Sequence, residues 1–336
     1  MHTAQAIQIA TYGDPDVMHL ARVEVPEPAA GEVQIVQHVA GVNYLDTYHR
    51  RGVFPLPRLP GVLGVEGAGV VAAVGEGVAG FAIGDRVSYA CRPIGGYTTR
   101  RNLPAVTVLH LPDDVSFEQA GAATLRGLTA HMVLRRVAPV GPGDTVLIHA
   151  AAGGLGLLLC QWARLLGARV IGTVGSPDKA QIATEFGCDH VILYRERSFV
   201  DEVRRLTDGR GVDAVFEGLG GQVFHDSLTV LRPFGHLVNL GQVAAGLPSV
   251  ALGDLGPARS LTISVPGVFA YVHGGADLPA AAAEVFGLIG RGDLRVHVGG
   301  IFALRDAARA HEALASRHTV GAVVLSTTDD LRADDR

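Results

Sequence analysis

Cysteine is scarce in this chain, which has 336 residues and three cysteines, at positions 91, 160 and 188. The count is odd and the spacings are wide, so the sequence argues against a disulfide framework and a cysteine-rich zinc lobe and favours a reducing compartment. Excess positive charge is lacking as well, because the formal net charge is −5. Without a basic surplus to neutralise phosphates, general nucleic-acid binding is not expected.

A long, uninterrupted apolar helix is also missing from the sequence. The most apolar window, residues 145–167, starts like a strand and contains a glycine-rich break, whereas a membrane span is helical throughout. The N-terminus lacks the basic start and apolar run of a secretory signal. We therefore expect a cytoplasmic protein without a membrane segment, and the chain length calls for two domains.

The apolar pattern changes twice along the chain. Residues 1–124 contain short apolar or alternating runs separated by Gly or Pro, which predicts a β-rich domain. A helix over 117–137, with Ser116 as its N-cap, leads into the next block. Within 125–264 strands alternate with helices, which predicts a doubly wound parallel sheet covered on both faces. Residues 265–336 hold two helices, a last strand and a polar tail, and we expect them to join the first block in one domain.

The most specific local pattern lies at a predicted strand-to-helix turn, which reads A-x-G-x-x-G. Its middle glycine lets the backbone approach a pyrophosphate, and its last glycine lets the helix pack against the strand. The N–H groups and the dipole at the helix start stabilise negative charge. A strand–turn–helix context is the one that a dinucleotide loop requires. The sequence thus predicts cofactor binding by Ala151, Gly153, Gly154, Leu155 and Gly156.

The end of the second strand of this α/β block indicates which nicotinamide cofactor binds. An NAD site normally has an acidic residue there to hold the ribose 2′-hydroxyl. This chain instead has Gly175 and Ser176, with Lys179 just beyond. Glycine leaves room for a 2′-phosphate, serine can donate a hydrogen bond and lysine supplies positive charge. We therefore predict NADPH rather than NADH.

Several stretches together resemble the zinc-independent quinone oxidoreductase and zeta-crystallin branch of the medium-chain dehydrogenase/reductase family. They are the run from Gly143 through the glycine turn to Gln161 and Arg164, the motif G-V-N-Y-L-D-T-Y from Gly41, and the turn-rich segment from Gly64. The resemblance covers about residues 5–326. It implies a GroES-like catalytic domain made by both chain ends, an inserted Rossmann domain, a cleft where the two meet, and a homodimer formed through the edge of the Rossmann sheet.

The resemblance also implies further contacts with the cofactor. Lys179, Tyr194 and Arg317 should surround the adenosine phosphate, together with Ser176. The nicotinamide end should be lined by Leu240 and Gly241, and Asn43 and Thr129 should contact the nicotinamide or its ribose.

No zinc site is expected. Zinc-dependent relatives bind the metal through two cysteines and a histidine, and the matching positions here are Asn43, Val65 and either Thr124 or Leu125. None of these side chains offers a thiolate or an imidazole, whereas a catalytic zinc site needs three protein ligands. His149, on the first strand of the α/β block, is interpreted as a sheet residue rather than a base.

Without a metal, catalysis depends on positioning and on hydrogen-bond donors at the acceptor oxygen. The resemblance implies reduction of a small quinone or another conjugated carbonyl, by hydride or electron transfer. Asn43 and Tyr48 are the candidate donors, and Arg126 is a candidate cation at the acceptor. We interpret Asp46 as structural.

Two alternatives remain open at this stage. Reduction of an enoyl thioester or alkenal is the first, although such relatives often use a tyrosine near the position of Phe54. Val265 likewise replaces an arginine that many quinone reductases have, and both changes make the pocket less polar. A non-catalytic NADPH-binding protein, structural or RNA-binding, is the second alternative, and the acidic charge balance opposes RNA.

Overall fold

The computed structural model describes residues 1–241, 243, 246, 249–274 and 277–328. The chain divides into two compact units. The first unit takes in the described parts of Met1–Leu128, Val272–Gly292 and Val296–Arg336, and the second takes in those of Thr129–Tyr271 together with Asp293–Arg295. The divisions fall close to the predicted domain boundaries after residues 124 and 264, which stay predictions.

The N-terminal part of the chain is rich in strands, as its turn-punctuated sequence predicts. Its elements are β1 (His2–Ile9), β2 (His19–Val25), β3 (Glu32–Val42), α1 (Tyr44–Arg50), β4 (Gly61–Val62), β5 (Glu66–Val74), β6 (Arg86–Ala90), β7 (Arg100–Pro104), β8 (Val108–His110) and α2 (Phe117–Met132). Ser116 caps α2, because its Oγ accepts from the N–H of Gln119 at 3.1 Å. The predicted continuation to residue 137 is present as a π-helical stretch, Val133–Val137.

Strands and helices then alternate, as predicted. The elements are β9 (Thr145–Ile148), α3 (Gly154–Leu165), β10 (Arg169–Val174), α4 (Pro177–Glu185), β11 (His190–Leu193), α5 (Phe199–Leu206), β12 (Val212–Glu217), α6 (Gly221–Thr229), β13 (Leu231–Asn239), α7 (Leu252–Leu255), β14 (Thr262–Ser264) and α8 (Val268–Gly274). The six strands pair in parallel in the order β11-β10-β9-β12-β13-β14. The predicted parallel sheet is confirmed, and Leu147, Ile171, Val215 and Leu237 are fully buried in its core.

The last segment returns to the first unit. It contains α9 (Leu278–Gly290), β15 (Val298–Ala303), α10 (Ala307–Ala315) and β16 (Ala322–Ser326). Strand β16 pairs antiparallel with β3, so both chain ends contribute to one sheet of order β15-β16-β3-β5-β6-β8, in which β7 also pairs with β3. A separate sheet, β2-β1-β4, completes the strands of this unit in the part of the chain that the structure describes. Within those same residues, no helix has the length and apolarity that crossing a membrane requires.

Candidate active site

The glycine turn joins β9 to α3 at the carboxyl edge of the parallel sheet. Gly156 lies in the first turn of α3, and a Cβ placed on it would stand 2.3 Å from the carbonyl oxygen of Ala150. A side chain cannot fit there, so glycine is what allows the helix to start this close to the strand end. The N–H of Ala151 donates to the carbonyl of Thr173 at 3.1 Å, which joins the turn to β10.

The start of α3 has the chemistry of an anion site. Gly153 is the N-cap, and Gly154, Leu155 and Gly156 form the first turn. The first N–H groups of a helix have no acceptor within the helix, and the helix dipole adds positive potential there. Gly153, Gly154 and Leu155 are partly exposed, so backbone can be approached from outside. Ala151 and Gly156 are buried beneath these three residues.

The second strand, β10, ends beside a cluster of polar and cationic side chains. A Cβ on Gly175 would lie 2.8 Å from the hydroxyl oxygen of Tyr194 and 3.4 Å from Nε of Arg195. Ser176 is the N-cap of α4, and Lys179 is in the first turn of that helix. Burial lowers the pKa of Lys179, and the positive charge of Arg195 lowers it further. Because the charge of Arg195 disfavours the protonated form of Lys179, the electrostatic potential around both side chains is positive, and it favours binding of an anion.

The structure thus brings together four of the predicted phosphate-site residues, namely Gly175, Ser176, Lys179 and Tyr194. It adds Arg195, which sequence reasoning missed. The signal was present, because Arg195 directly follows Tyr194 at the end of the third strand. Arg317 belongs to the other unit, where it follows α10 with a φ of 59°. Its predicted contact with the phosphate stays a prediction.

A buried carboxylate connects the ends of β12 and β13. Glu217 has no exposed surface, and it accepts from the N–H of Gly220 at 2.6 Å and from the amide of Asn239 at 2.9 Å. Asn239 also donates to the carbonyl of Gly241 at 3.0 Å. The N–H of Leu240 donates to the Glu217 carbonyl at 2.6 Å. These bonds fix the backbone of the two residues that are predicted to line the nicotinamide.

The sequence analysis also singled out two other residues of the second unit, Thr129 as a cofactor contact and His149 as a sheet residue. Thr129 lies on α2 and is half-buried. His149 is buried, and its two ring nitrogens lie 2.9 Å from the Thr173 hydroxyl and 3.0 Å from the Ser227 hydroxyl. Burial lowers the pKa of His149 to about 3. The ring is therefore neutral and engaged in structure, as the sequence interpretation expects.

In the first unit, Asn43 is held by two buried acids. Its side-chain amide donates to Glu66 at 2.8 Å, and its backbone N–H donates to Asp46 at 2.8 Å. Glu66 also accepts from the N–H of Leu125 at 2.6 Å. One amide hydrogen of Asn43 is used by Glu66, and the side-chain amide has a second hydrogen that it can donate. Sequence reasoning did not single out Glu66 as a partner of Asn43.

Arg126, on α2, lies beside Glu66 and links α2 to the end of β3. Its guanidinium donates to the carbonyls of Ala122 at 2.7 Å and Val42 at 2.6 Å, and it lies 3.6 Å from Glu66. Burial raises the pKa of Glu66, and the charge of Arg126 opposes that rise. The side chain is almost wholly buried. These contacts explain a structural role, so the predicted catalytic role of Arg126 rests on the sequence alone.

Tyr48 lies on α1, five residues beyond Asn43, and is half-buried. Its ring makes an edge contact with Phe54, with the ring centroids 5.7 Å apart. Phe54 is 45% exposed, so the residue that replaces a tyrosine of related enzymes presents apolar surface. The pairing supports Tyr48 and Phe54 as walls of one surface. Whether Tyr48 donates a proton stays a prediction.

Metal-binding side chains do not gather in the described residues: no group of three His, Cys, Asp or Glu side chains there could hold an ion. The expectation that no zinc binds stays a prediction, to be checked by metal analysis.

An N-terminal sheet unit and an inserted parallel sheet with a glycine turn define a dehydrogenase of the GroES-like and Rossmann type. Two family profiles agree with this class: "Alcohol dehydrogenase GroES-like domain" matches residues 29–113, and "Zinc-binding dehydrogenase" matches residues 154–285. The chain belongs to the quinone oxidoreductase branch of the medium-chain dehydrogenases/reductases.

Individual relatives cover almost the whole chain. A quinone oxidoreductase of Pseudomonas aeruginosa is 43% identical, over 96% of this chain and 99% of the relative. A 2-haloacrylate reductase of Burkholderia is 39% identical, over 93% of this chain and 96% of the relative. The crystal structure of Escherichia coli quinone oxidoreductase in complex with NADPH superposes with a TM-score of 0.92 at 39% identity, covering 96% of this chain and 99% of that one.

The buried Asp46 carboxylate generates a prediction about stability. Burial raises the pKa of Asp46 from 3.8 to about 7, against the opposing effect of hydrogen bonds from Asn43 and Tyr97. A raised pKa means that the folded state prefers the protonated acid. The resulting penalty is absent below pH ~4, grows as the pH rises through the folded pKa and is constant above it. One pKa unit corresponds to about 1.4 kcal/mol, so the penalty approaches roughly 4 kcal/mol.

Asp46→Asn removes this titration while keeping an oxygen that accepts. The difference in unfolding free energy between the variant and the wild type should therefore move in favour of the variant, by a few kcal/mol, between pH 4 and pH 8. Denaturant titrations at several pH values measure it. Glu24→Gln, which alters an exposed carboxylate of β2, is the control. A difference for Asp46→Asn that is the same at every pH would contradict the assignment.

Proposed function

We propose that this protein uses NADPH to reduce quinones or similar small conjugated carbonyls without a metal. The observation that carries the coenzyme assignment is the end of β10, where Gly175 and Ser176 replace an acid beside Lys179 and Arg195. An acid there would bind a ribose hydroxyl, whereas space, a hydroxyl group and two cations suit a 2′-phosphate. NADPH supplies a hydride or electrons when bound.

The residues present fit that coenzyme. The turn Ala151–Gly156 offers backbone N–H groups where side chains would obstruct a pyrophosphate, and Tyr194 offers an aromatic face beside the phosphate cluster. Glu217 and Asn239 fix the backbone of Leu240 and Gly241, which are predicted to line the nicotinamide. Thr129 and Arg317 complete the predicted contacts.

The acceptor is assigned to the first unit's Asn43 and Tyr48. A quinone oxygen gains negative charge as it is reduced, and a donor that is already oriented lowers the barrier without reorganising. Asn43 is oriented in this way, because Glu66 and Asp46 fix its amide and its backbone. Tyr48 and Phe54 supply flat apolar surface for an aromatic acceptor.

The name of one relative, 2-haloacrylate reductase, gives the second candidate function its support. Such an acceptor is a conjugated acid, so it has the same kind of electron-poor double bond as the first alternative from the sequence. The two functions are separated by comparing turnover on 1,4-benzoquinone, 9,10-phenanthrenequinone, 2-chloroacrylate and a crotonyl thioester. We expect the quinones to be reduced at least tenfold more efficiently, by kcat/KM. Quinone rates at background with rapid turnover of an alkene would overturn the assignment.

We also propose a cytoplasmic homodimer that forms through the edge of the parallel sheet. Strand β14 is the last strand of that sheet, and an unpaired edge is a template for pairing with a second copy. Light scattering should give twice the mass of one chain, and a monomer at micromolar concentration would refute the dimer.

The choice of NADPH over NADH depends on Lys179. Lys179→Ala should raise KM for NADPH at least about tenfold, since one charge-assisted hydrogen bond contributes roughly 1.5–3 kcal/mol, and should leave KM for NADH nearly unchanged. Steady-state kinetics with both coenzymes measure the ratio. Arg197→Ala is the matched control, because Arg197 is an exposed cation two residues beyond Arg195 that pairs with Glu202. Equal changes for NADPH and NADH would refute the phosphate site.

A further inference from the structure

Four buried polar side chains of the first unit form a continuous hydrogen-bonded chain. Arg50 Nη1 lies 3.0 Å from His311 Nδ1, His311 Nε2 lies 3.0 Å from the Tyr97 hydroxyl, and that hydroxyl lies 3.0 Å from Asp46 Oδ2. Each of the four side chains belongs to a residue that is at most 5% exposed. The chain starts at the end of α1, passes through α10 and returns to the first turn of α1.

The direction of every bond in this chain is set by Arg50. A guanidinium only donates, so Nδ1 of His311 must accept. The one ring hydrogen of neutral His311 is then on Nε2, which donates to Tyr97. Since the Tyr97 oxygen already accepts, its own hydrogen is directed to Asp46. Burial and the charge of Arg50 lower the pKa of His311 to about 3, in agreement with the neutral ring.

The hydrogen-bonded chain ends on the Asp46 carboxylate, whose ionisation is opposed by burial and favoured by its hydrogen-bond donors. Oδ2 of Asp46 accepts from Tyr97 and from the backbone N–H of Asn43, at 3.0 Å and 2.8 Å. Its other oxygen, Oδ1, is buried with no hydrogen-bond partner among the described residues. Burial favours the neutral acid, and both donors favour the anion. Loss of one donor therefore shifts the balance.

We propose that Arg50, His311 and Tyr97 are positioning residues that stabilise the ionised form of Asp46, and that the ionised carboxylate holds Asn43 in place for the reaction. Arginine does not release its proton in proteins, so this chain orders charge and does not conduct protons. The proposal rests on the proposed function only in assigning Asn43 to the acceptor.

Other charged and titratable groups face the same residues. Asp46 is under the influence of Glu66 from β5 and Arg126 from α2. Arg50 is under the influence of Asp14, Asp16 and Arg51. Glu66 disfavours the Asp46 anion and Arg126 favours it, so the two partly cancel. Tyr97→Phe removes the donor from Tyr97 without changing either of these two charges.

Tyr97→Phe tests the proposal through the pH dependence of kcat/KM for the quinone. The variant removes one donor from the anion, so the acid limb of the profile should move about one pH unit upward. Activity should fall severalfold at pH 6 and return to within about twofold of the wild type at pH 9, because Asp46 ionises there in both proteins. A purely structural defect would lower activity by the same factor at every pH, and that result would overturn the proposal.

Two further variants sharpen this test. Tyr89→Phe removes another buried tyrosine hydroxyl of the same unit, one that bonds Gln37, and its acid limb should not move. His311→Gln keeps an N–H that can donate to Tyr97 while losing the ring, so its acid limb should move in the same direction but less. If the acid limb of the kcat/KM profile lies at the wild-type pH in both Tyr97→Phe and His311→Gln, the proposal is refuted even if one variant folds poorly.

A second readout does not need the acceptor to be known. If Tyr97 stabilises the Asp46 anion, Tyr97→Phe should lower the unfolding free energy more at pH 9 than at pH 5. An equal loss of unfolding free energy at both pH values would contradict the proposed role of the hydrogen-bonded side chains. If the wild type reduces no quinone but this difference in unfolding free energy appears, the proposed function is wrong and the proposal about the hydrogen-bonded side chains stands. If the wild type reduces quinones but Tyr97→Phe lowers the unfolding free energy equally at both pH values, the proposed function stands and the proposal about the hydrogen-bonded side chains is wrong.

Discussion

The close approach of α3 to the end of β9 is the contact on which the rest of the second unit depends. A single methyl group at Gly156 would collide with the Ala150 carbonyl at 2.3 Å. With glycine, the helix starts at the carboxyl edge of the sheet, and its first N–H groups are directed where an anion can reach them. The ends of β10, β12 and β13 lie at the same edge because the sheet is parallel. One short contact therefore determines where the proposed coenzyme surface lies.

In the first unit, the main constraint is on the buried polar side chain of Asn43, which must be held in one position inside an apolar sheet domain. Two carboxylates, Glu66 and Asp46, hold Asn43 by its amide and by its backbone. Buried acids are costly unless donors surround them, and here Arg126, Leu125 and Tyr97 supply donors. The cost is what makes the arrangement specific, since few alternative positions of Asn43 would satisfy the same acids.

Much of the fold follows from local patterns. Strand–helix alternation and the glycine turn predict the parallel sheet, because period and turn residues are local properties. Strand β15 was not predicted, since its run V-G-G-I-F-A has two glycines and little alternation. The π-helical stretch after Met132 was also missed, because π-helical geometry has no simple sequence signal.

The site was predicted to the extent that its residues follow strand ends. Gly175, Ser176 and Lys179 follow β10, and an absent acid there is visible in the sequence. The chain from Arg50 through His311 and Tyr97 was not predictable in the same way. Hydrogen-bonded neighbours in it lie up to 261 positions apart, and tertiary contacts such as the pairing of β16 with β3 and the packing of α10 bring them together. Long-range polar contacts of this kind have no signature in a single sequence.

The claim that everything else requires is that a 2′-phosphorylated dinucleotide binds along the carboxyl edge of the parallel sheet. A crystal structure of the complex with NADPH tests it most directly. We predict the pyrophosphate on the N–H groups at the start of α3 and the 2′-phosphate between Lys179 and Arg195. A pyrophosphate bound elsewhere, or a 2′-phosphate that points away from both cations, would contradict the account.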